Sequence, residues 1–284
     1  MRYDDVLNFA LQRHQVYERK AAGLPRGEWT DNLVLSRYKF TNVYRELDRN
    51  TVWIRENVRE RFWGSDETIP AVFVARLINR IPVLEVAFGQ MELFDSETPL
   101  DSYISRGAVA PMEHAIRTSI PTGPWATSAY MMKTPTGKDK LAGLLHIAEE
   151  FWRSEWSDIL ECRTLEDAHK IFLRVPYMGG FLSGQMIADL KYTPVLSRAS
   201  DWWTWAASGP GSRAGMNLVL ERYPADSISE KDWRREIRKL WDWINPHLEQ
   251  EGMPPVHMQD LQNILCEFSK FDRGYSRCVY RPGG

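Results

Sequence analysis

A carboxylate set among indoles is the first group that could do chemistry: Ser200-Asp201, followed by Trp202, Trp203 and Trp205. A fixed carboxylate can stabilise positive charge that builds on a sugar as its bond to a base breaks, or align an attacking water. The indoles can stack on a planar ring swung out of a duplex, or fill the gap it leaves. Core packing accounts for tryptophans equally well, and for at least one of the three it is the expected role. Asp201 also suits a helix N-cap ahead of Trp202.

A second group lies in FTNVYRELDR, residues 40–49. On a helix, Asn42, Arg45, Glu46 and Arg49 share one face by their three- and four-residue spacings. Val43 and Leu47 then point to a core, with Tyr44 and Asp48 between. Spacing alone is met by a solvated helix laced with salt bridges. As a functional face, Asn reads a base edge, Arg clamps a phosphate through two parallel hydrogen bonds, and Asp orients either.

The elements that must position these groups read as helices. Val6, Leu7, Ala10 and Leu11 mark one, and Val43, Leu47 and Ile54 a second. Ala71, Val74, Ala75 and Ile78 mark a third, and Leu141, Leu144, Leu145 and Ala148 a fourth. Residues 164–190 read as helix, hairpin, helix. Thr164 is the N-cap with Asp167 three residues on, Pro176 stops the first helix, and Met178-Gly179-Gly180 makes the turn. Exposed backbone N–H groups at Gly179 and Gly180 suit a phosphate at a helix N-terminus. An ordinary helical hairpin with a glycine turn fits the same residues. Long alternating strands are absent, and 98–137 reads as mixed and irregular. The expected architecture is all-α, one domain over 1–284 with two lobes around a cleft and a lobe boundary near 138.

Composition narrows the classes. A formal net charge of −2 over 284 residues gives no global nucleic-acid signature, so any DNA surface must be a local patch. Three cysteines, Cys162, Cys266 and Cys278, cannot all pair and lack close ligand spacing. That argues against a disulfide framework or a structural zinc site and fits a reduced cytoplasm. No stretch has the length or pattern of a signal peptide or membrane span. No cofactor motif is present.

Four segments in order, FTNVYRELDR, PYMGGFLSGQMIADLKY, GPGSRAG and HMQDLQNILCEFSK, resemble the alpha-glutamyl/putrescinyl thymine pyrophosphorylases. That family is related to helix-hairpin-helix DNA glycosylases, in which a catalytic aspartate follows the hairpin's second helix. The resemblance implies a glycosylase-like fold and a modified pyrimidine in phage DNA as partner, bound by a monomer without a membrane. It directs attention to Asn42, Arg45, Asp48 and Arg49, to Gln185 and Asp189, to Arg213, and to Glu267 and Lys270. Tyr177 stands where the usual glycosylase hairpin has its first glycine. The second hairpin helix holds no lysine for a Schiff base, although Lys191 lies just beyond.

Two reactions follow as expectations. The first is a monofunctional DNA glycosylase, a hydrolase excising a 5-substituted pyrimidine in antiphage defence. Asp201 would be catalytic, with Asp189 and Asp48 next in line, and Trp202 would meet the flipped base. Asn42, Arg45 and Asp48 would face the same cleft as Asp201. The second is a transferase that displaces a pyrophosphate from the 5-methylene of a hydroxymethyluracil derivative and installs an amine, with Arg45, Arg49 and Arg213 as its basic pocket. Neither needs a metal. A similar helical domain accompanies hydroxymethyluracil DNA kinases, but no G-x-x-x-x-G-K-[ST] occurs here, so a kinase is expected to be excluded by its missing P-loop.

Overall fold

The structure, a computed structural model, describes residues 1–92, 109–127, 133–154 and 156–280. Its helices run in order α1 (Tyr3–Ala21), α2 (Leu33–Arg37), α3 (Arg49–Ile54), α4 (Thr68–Ile78), α5 (Ile81–Glu92) and α6 (Val109–Ser119). They continue as α7 (Lys140–Trp152), α8 (Leu165–Phe172), α9 (Gly180–Leu190), α10 (Pro210–Val219), α11 (Glu230–Gln250) and α12 (Met258–Asp272). Among the described residues the only β-pairing is an isolated antiparallel bridge between Tyr38 and Val279, so the all-α expectation holds. No helix among them is long and apolar enough to cross a membrane. Much of the stretch expected to be irregular, 98–108 and 128–132, lies outside the described residues, while 109–119 is helical.

The chain divides into two compact units, one of Met1–Asp48 with Trp203–Gly284, the other of Arg49–Trp202. In the first, α1 buries Val6, Phe9, Ala10 and Val16 along one face. Its first turn carries Asp4 and Asp5 and its last Arg19 and Lys20, matching the helix dipole. Phe9, Trp233, Leu240, Leu261 and Phe268 belong to the core that α1 shares with α11 and α12. The segment GPGSRAG is explained by packing. Gly209 and Pro210 start α10, and a Cβ on Gly211 or Gly215 would overlap the Cys266 thiol or the Leu265 carbonyl of α12.

In the second unit every residue of α4 is buried, as a helix apolar on all sides requires. Phe73 stacks on Phe151 of α7 at 3.9 Å, and both rings lie near Phe172 of α8. The hairpin predicted over 164–190 is present as α8 and α9. Thr164 Oγ1 accepts the Asp167 N–H at 3.0 Å, as the N-cap pattern predicts. Tyr177 adopts φ +67°, so the turn does demand the left-handed backbone that glycine would supply more cheaply.

One element differs from its reading. Residues 40–48 are not a helix: only Arg45–Leu47 form a 3-10 turn, and helix begins at Arg49, continuing through a π-helical stretch at Arg55–Arg59. The cause is local. Asn42 Nδ2 donates to the Leu47 carbonyl at 2.7 Å, and the Asp48 carboxylate accepts the Asn42 N–H at 2.8 Å. Short polar side chains thus take the place of helical backbone partners.

Candidate functional site

In the first unit the 40–48 loop is held on one side by Arg13, a buried residue of α1 that no sequence motif singles out. Its Nε donates to the Thr41 carbonyl at 3.0 Å, and its Nη2 to the Phe40 carbonyl at 3.0 Å and to Asn42 Oδ1. No spacing signal marks Arg13, because its partners lie 27 to 29 residues away. On the other side the loop is tied to α12. Asn263 Nδ2 donates to Thr41 Oγ1 at 2.8 Å, the Arg45 N–H to Asp260 at 3.0 Å, and the Thr41 N–H to Glu267 at 3.4 Å. Lys270 Nζ in turn donates to Glu267 at 2.5 Å. Three of the four resembling segments therefore meet in one unit: GPGSRAG seats α12, and α12 holds FTNVYRELDR.

The electrostatics single out Asp48. Burial pushes its carboxyl up from 3.8 to about 6, while the Asn42 N–H and the Arg45 and Arg13 charges pull it back and Glu267 raises it. Only Oδ1 accepts a hydrogen bond among the described residues, from Asn42, which leaves Oδ2 as an unused acceptor. A carboxylate that titrates near neutrality with an open oxygen can take the proton of a hydroxyl. Burial alone would lower the Lys270 ammonium, but the Glu267 carboxylate more than offsets this and holds it above its ordinary value. Arg213 of α10 is engaged locally, by Ser208, the Ile228 carbonyl and Glu230.

The remaining named residues lie in the second unit. Asp189 is fully buried on α9, gripped by Arg76 through two hydrogen bonds, with Arg59 3.8 Å away. Arg76 also donates to Thr51 and Asn79, so this is a closed internal charge cluster. Gln185 is buried on the same helix, and Arg49 is exposed at the start of α3. Asp201 accepts the N–H groups of Leu165 at 2.6 Å and Glu166 at 3.1 Å. It thus caps α8, the hairpin's first helix, rather than a helix beginning at Trp202. Trp202 donates its indole N–H to the Lys191 carbonyl, and the buried Lys191 ammonium sits 4.2 Å over the Trp202 ring. Gly179, the N-cap of α9, is exposed with nothing within 4 Å of a Cβ there, and Gly180 opens the helix. Of the other indoles, which belong to the first unit, Trp205 is buried and Trp203 is 44% exposed against His257.

A 5-hmdU DNA kinase of Bacillus phage SP10 is 23% identical to this chain over 297 residues, covering 93% of the chain and 45% of that kinase. The chain therefore spans less than half the length of the curated relative it matches. No solved structure matches. A family model described as the helical domain of 5-hmdU DNA kinase matches residues 1–279. In broad form this agrees with the four-segment resemblance, a family concerned with a modified thymine in DNA. It overturns the base-excising glycosylase and hydrolase expected above, and the role of Asp201 in glycosidic cleavage goes with it. The missing P-loop pattern, expected to exclude a kinase, does not keep the chain out of a family whose model is the helical domain of such a kinase. By a match that runs through residue 279 of 284, the chain belongs to the family of the 5-hmdU DNA kinase helical domain.

Proposed function

We propose that this chain recognises 5-hydroxymethyldeoxyuridine in DNA and readies its 5-hydroxymethyl group for phosphoryl transfer, leaving the base on its sugar. The observation that carries the reading is the family match over residues 1–279. Asp48 supports it: the open Oδ2 of a carboxyl raised to about 6 suits the O–H of a primary alcohol and offers nothing to a methyl group. In the transfer, the hydroxymethyl oxygen bonds to the terminal phosphorus of a nucleoside triphosphate, the nucleoside diphosphate leaves, and Asp48 takes the hydroxyl proton. Arg13 and Asn42 fix the loop that carries Asp48, and Glu267 with Lys270 holds its start. The chain contains no G-x-x-x-x-G-K-[ST], so the triphosphate is held by groups outside that pattern, in this chain or in a companion.

The test uses the full chain and matched oligonucleotides bearing 5-hydroxymethyluracil or thymine at one position. Fluorescence anisotropy should show tighter binding to the hydroxymethyl strand, and Asp48→Ala should abolish the difference. Mass spectrometry of nucleosides after incubation with ATP reads the chemistry, with or without a longer kinase relative present. Equal affinity for the two oligonucleotides would refute the reading, as would abasic sites among the products.

A further inference from the structure

Two basic residues of the second unit, Arg49 and Arg80, play no part in the proposed function, and neither makes an ion pair or a side-chain hydrogen bond among the described residues. The fold sets their backbones side by side. Asn50 Nδ2 of α3 donates at 2.8 Å to the Asn79 carbonyl, in the turn between α4 and α5. Arg49 precedes Asn50 and Arg80 follows Asn79, so each lies one Cα step, about 3.8 Å, from the bonded pair. The junction is firmly held. Asn79 is buried at φ +45°, the left-handed backbone that ends α4 and turns the chain into α5, and Arg76 donates to its Oδ1 at 3.1 Å. Arg76 also donates to Thr51 Oγ1 at 3.0 Å, a second tie between α3 and α4.

The positive charge at this junction lacks a counterpart. Arg80 is half-buried, and its Nε is shut off from water with no acceptor. A guanidinium held partly out of water is costly unless an anion faces it. Asp189, the buried carboxylate of this unit, is gripped by Arg76 and lies 3.8 Å from Arg59. Glu85, exposed one turn into α5, makes no ion pair with Arg80. Arg49 is exposed at the first position of α3. Because α5 begins at Ile81, the positive end of its dipole lies at Arg80. Two cations and a helix N-terminus thus share one edge, and no described carboxylate bonds to either cation.

We infer that Arg49 and Arg80 together grip one backbone phosphate of a DNA strand. A phosphodiester carries a single negative charge and presents two free oxygens, one for each guanidinium. It supplies the counter-charge that Arg80 lacks and screens the two cations from each other. Phosphate contacts fix the register of a strand and carry no sequence information, so this grip is indifferent to the base. A nucleoside triphosphate offers the same phosphate chemistry, and the experiment below separates the two sources. The assignment rests on the DNA-binding reading above and adds a point of contact within the second unit.

The test follows binding of the full chain to a single-stranded oligonucleotide bearing one 5-hydroxymethyluracil, across a series of salt concentrations. The parent is compared with Arg49→Gln and with the double variant Arg49→Gln, Arg80→Gln. At low salt the double variant should bind roughly ten-fold more weakly. Its slope of log affinity against log salt should be shallower by about 0.7, the share of one phosphate on a single strand. A change near twice that size would put the arginines on two phosphates and overturn the shared grip. Arg49→Gln, at an exposed position, should show part of the same loss, and it decides the case if the double variant loses its helical circular dichroism. Unchanged slope and affinity overturn the site altogether. ATP is titrated in parallel by calorimetry: weaker ATP binding with unchanged oligonucleotide affinity assigns the phosphate to a free nucleotide and overturns the strand. The preference for 5-hydroxymethyluracil over thymine should persist in the double variant. Its absence from the parent, with the slope change intact, would instead leave the phosphate site and remove the proposed function.

Discussion

Asp48→Asn keeps the shape of the side chain and an oxygen for the Asn42 N–H, and removes only the charge. Burial raises the Asp48 carboxyl from 3.8 to about 6 in the folded chain. Between those values the folded protein holds a proton that the unfolded chain has released, so stability falls as pH rises through this window. Above about pH 6 the whole cost of ionising a desolvated carboxyl is present, roughly 3 kcal/mol. About half of it develops between pH 5 and pH 8. Asparagine carries no such cost. Urea denaturation should therefore find the variant more stable than the parent near pH 8, with an advantage about half as large near pH 5. The same variant should lose its preference for 5-hydroxymethyluracil, which trades stability against function at a single residue. An advantage equal at both pH values, or a variant less stable near pH 8, would refute the reasoning: it would mean that Arg13 and Arg45 fully compensate the charge.

Other substitutions separate structural carboxylates from functional ones. Asp189→Asn leaves Arg76 buried without its counter-charge, and should cost about 3–5 kcal/mol in urea denaturation. Unchanged stability with impaired DNA binding would make Asp189 a functional residue instead. Asp201→Ala removes acceptors from the Leu165 and Glu166 N–H groups, and should cost about 1 kcal/mol in thermal unfolding, with Asp201→Asn milder. Loss of DNA binding at full stability would contradict that capping role. Gly215→Ala drives a Cβ into the Leu265 carbonyl and should cost about 1–3 kcal/mol or prevent folding, since both neighbours are helix backbone. Gly179→Ala meets open space but puts a poor N-cap residue ahead of α9, and should cost up to about 1 kcal/mol, so a larger fall in DNA affinity there would report a contact with the strand.

Periodicity and capping are local properties, and the sequence by itself determined the features they control. The all-α class, the faces of α1 and α7, the Thr164 cap and the hairpin at Pro176 to Gly180 depend on residues within one or two turns of each other. The segment 40–48 went the other way because its helical spacing competed with side-chain bonds. Asn42 and Asp48 close their own loop, and Arg13 and α12 hold it from far along the chain. Asp201 shows the same limit: a short polar residue before Trp202 reads as a cap for a helix starting there, yet it caps one that begins 36 residues earlier. Asp189 looked like a spare carboxylate until Arg76, 113 residues away, closed on it. Only tertiary structure decided which of three aspartates kept an open oxygen in a desolvated setting. Burial and hydrogen-bond partners, which set a carboxyl's chemistry, are supplied by whatever the fold packs against it.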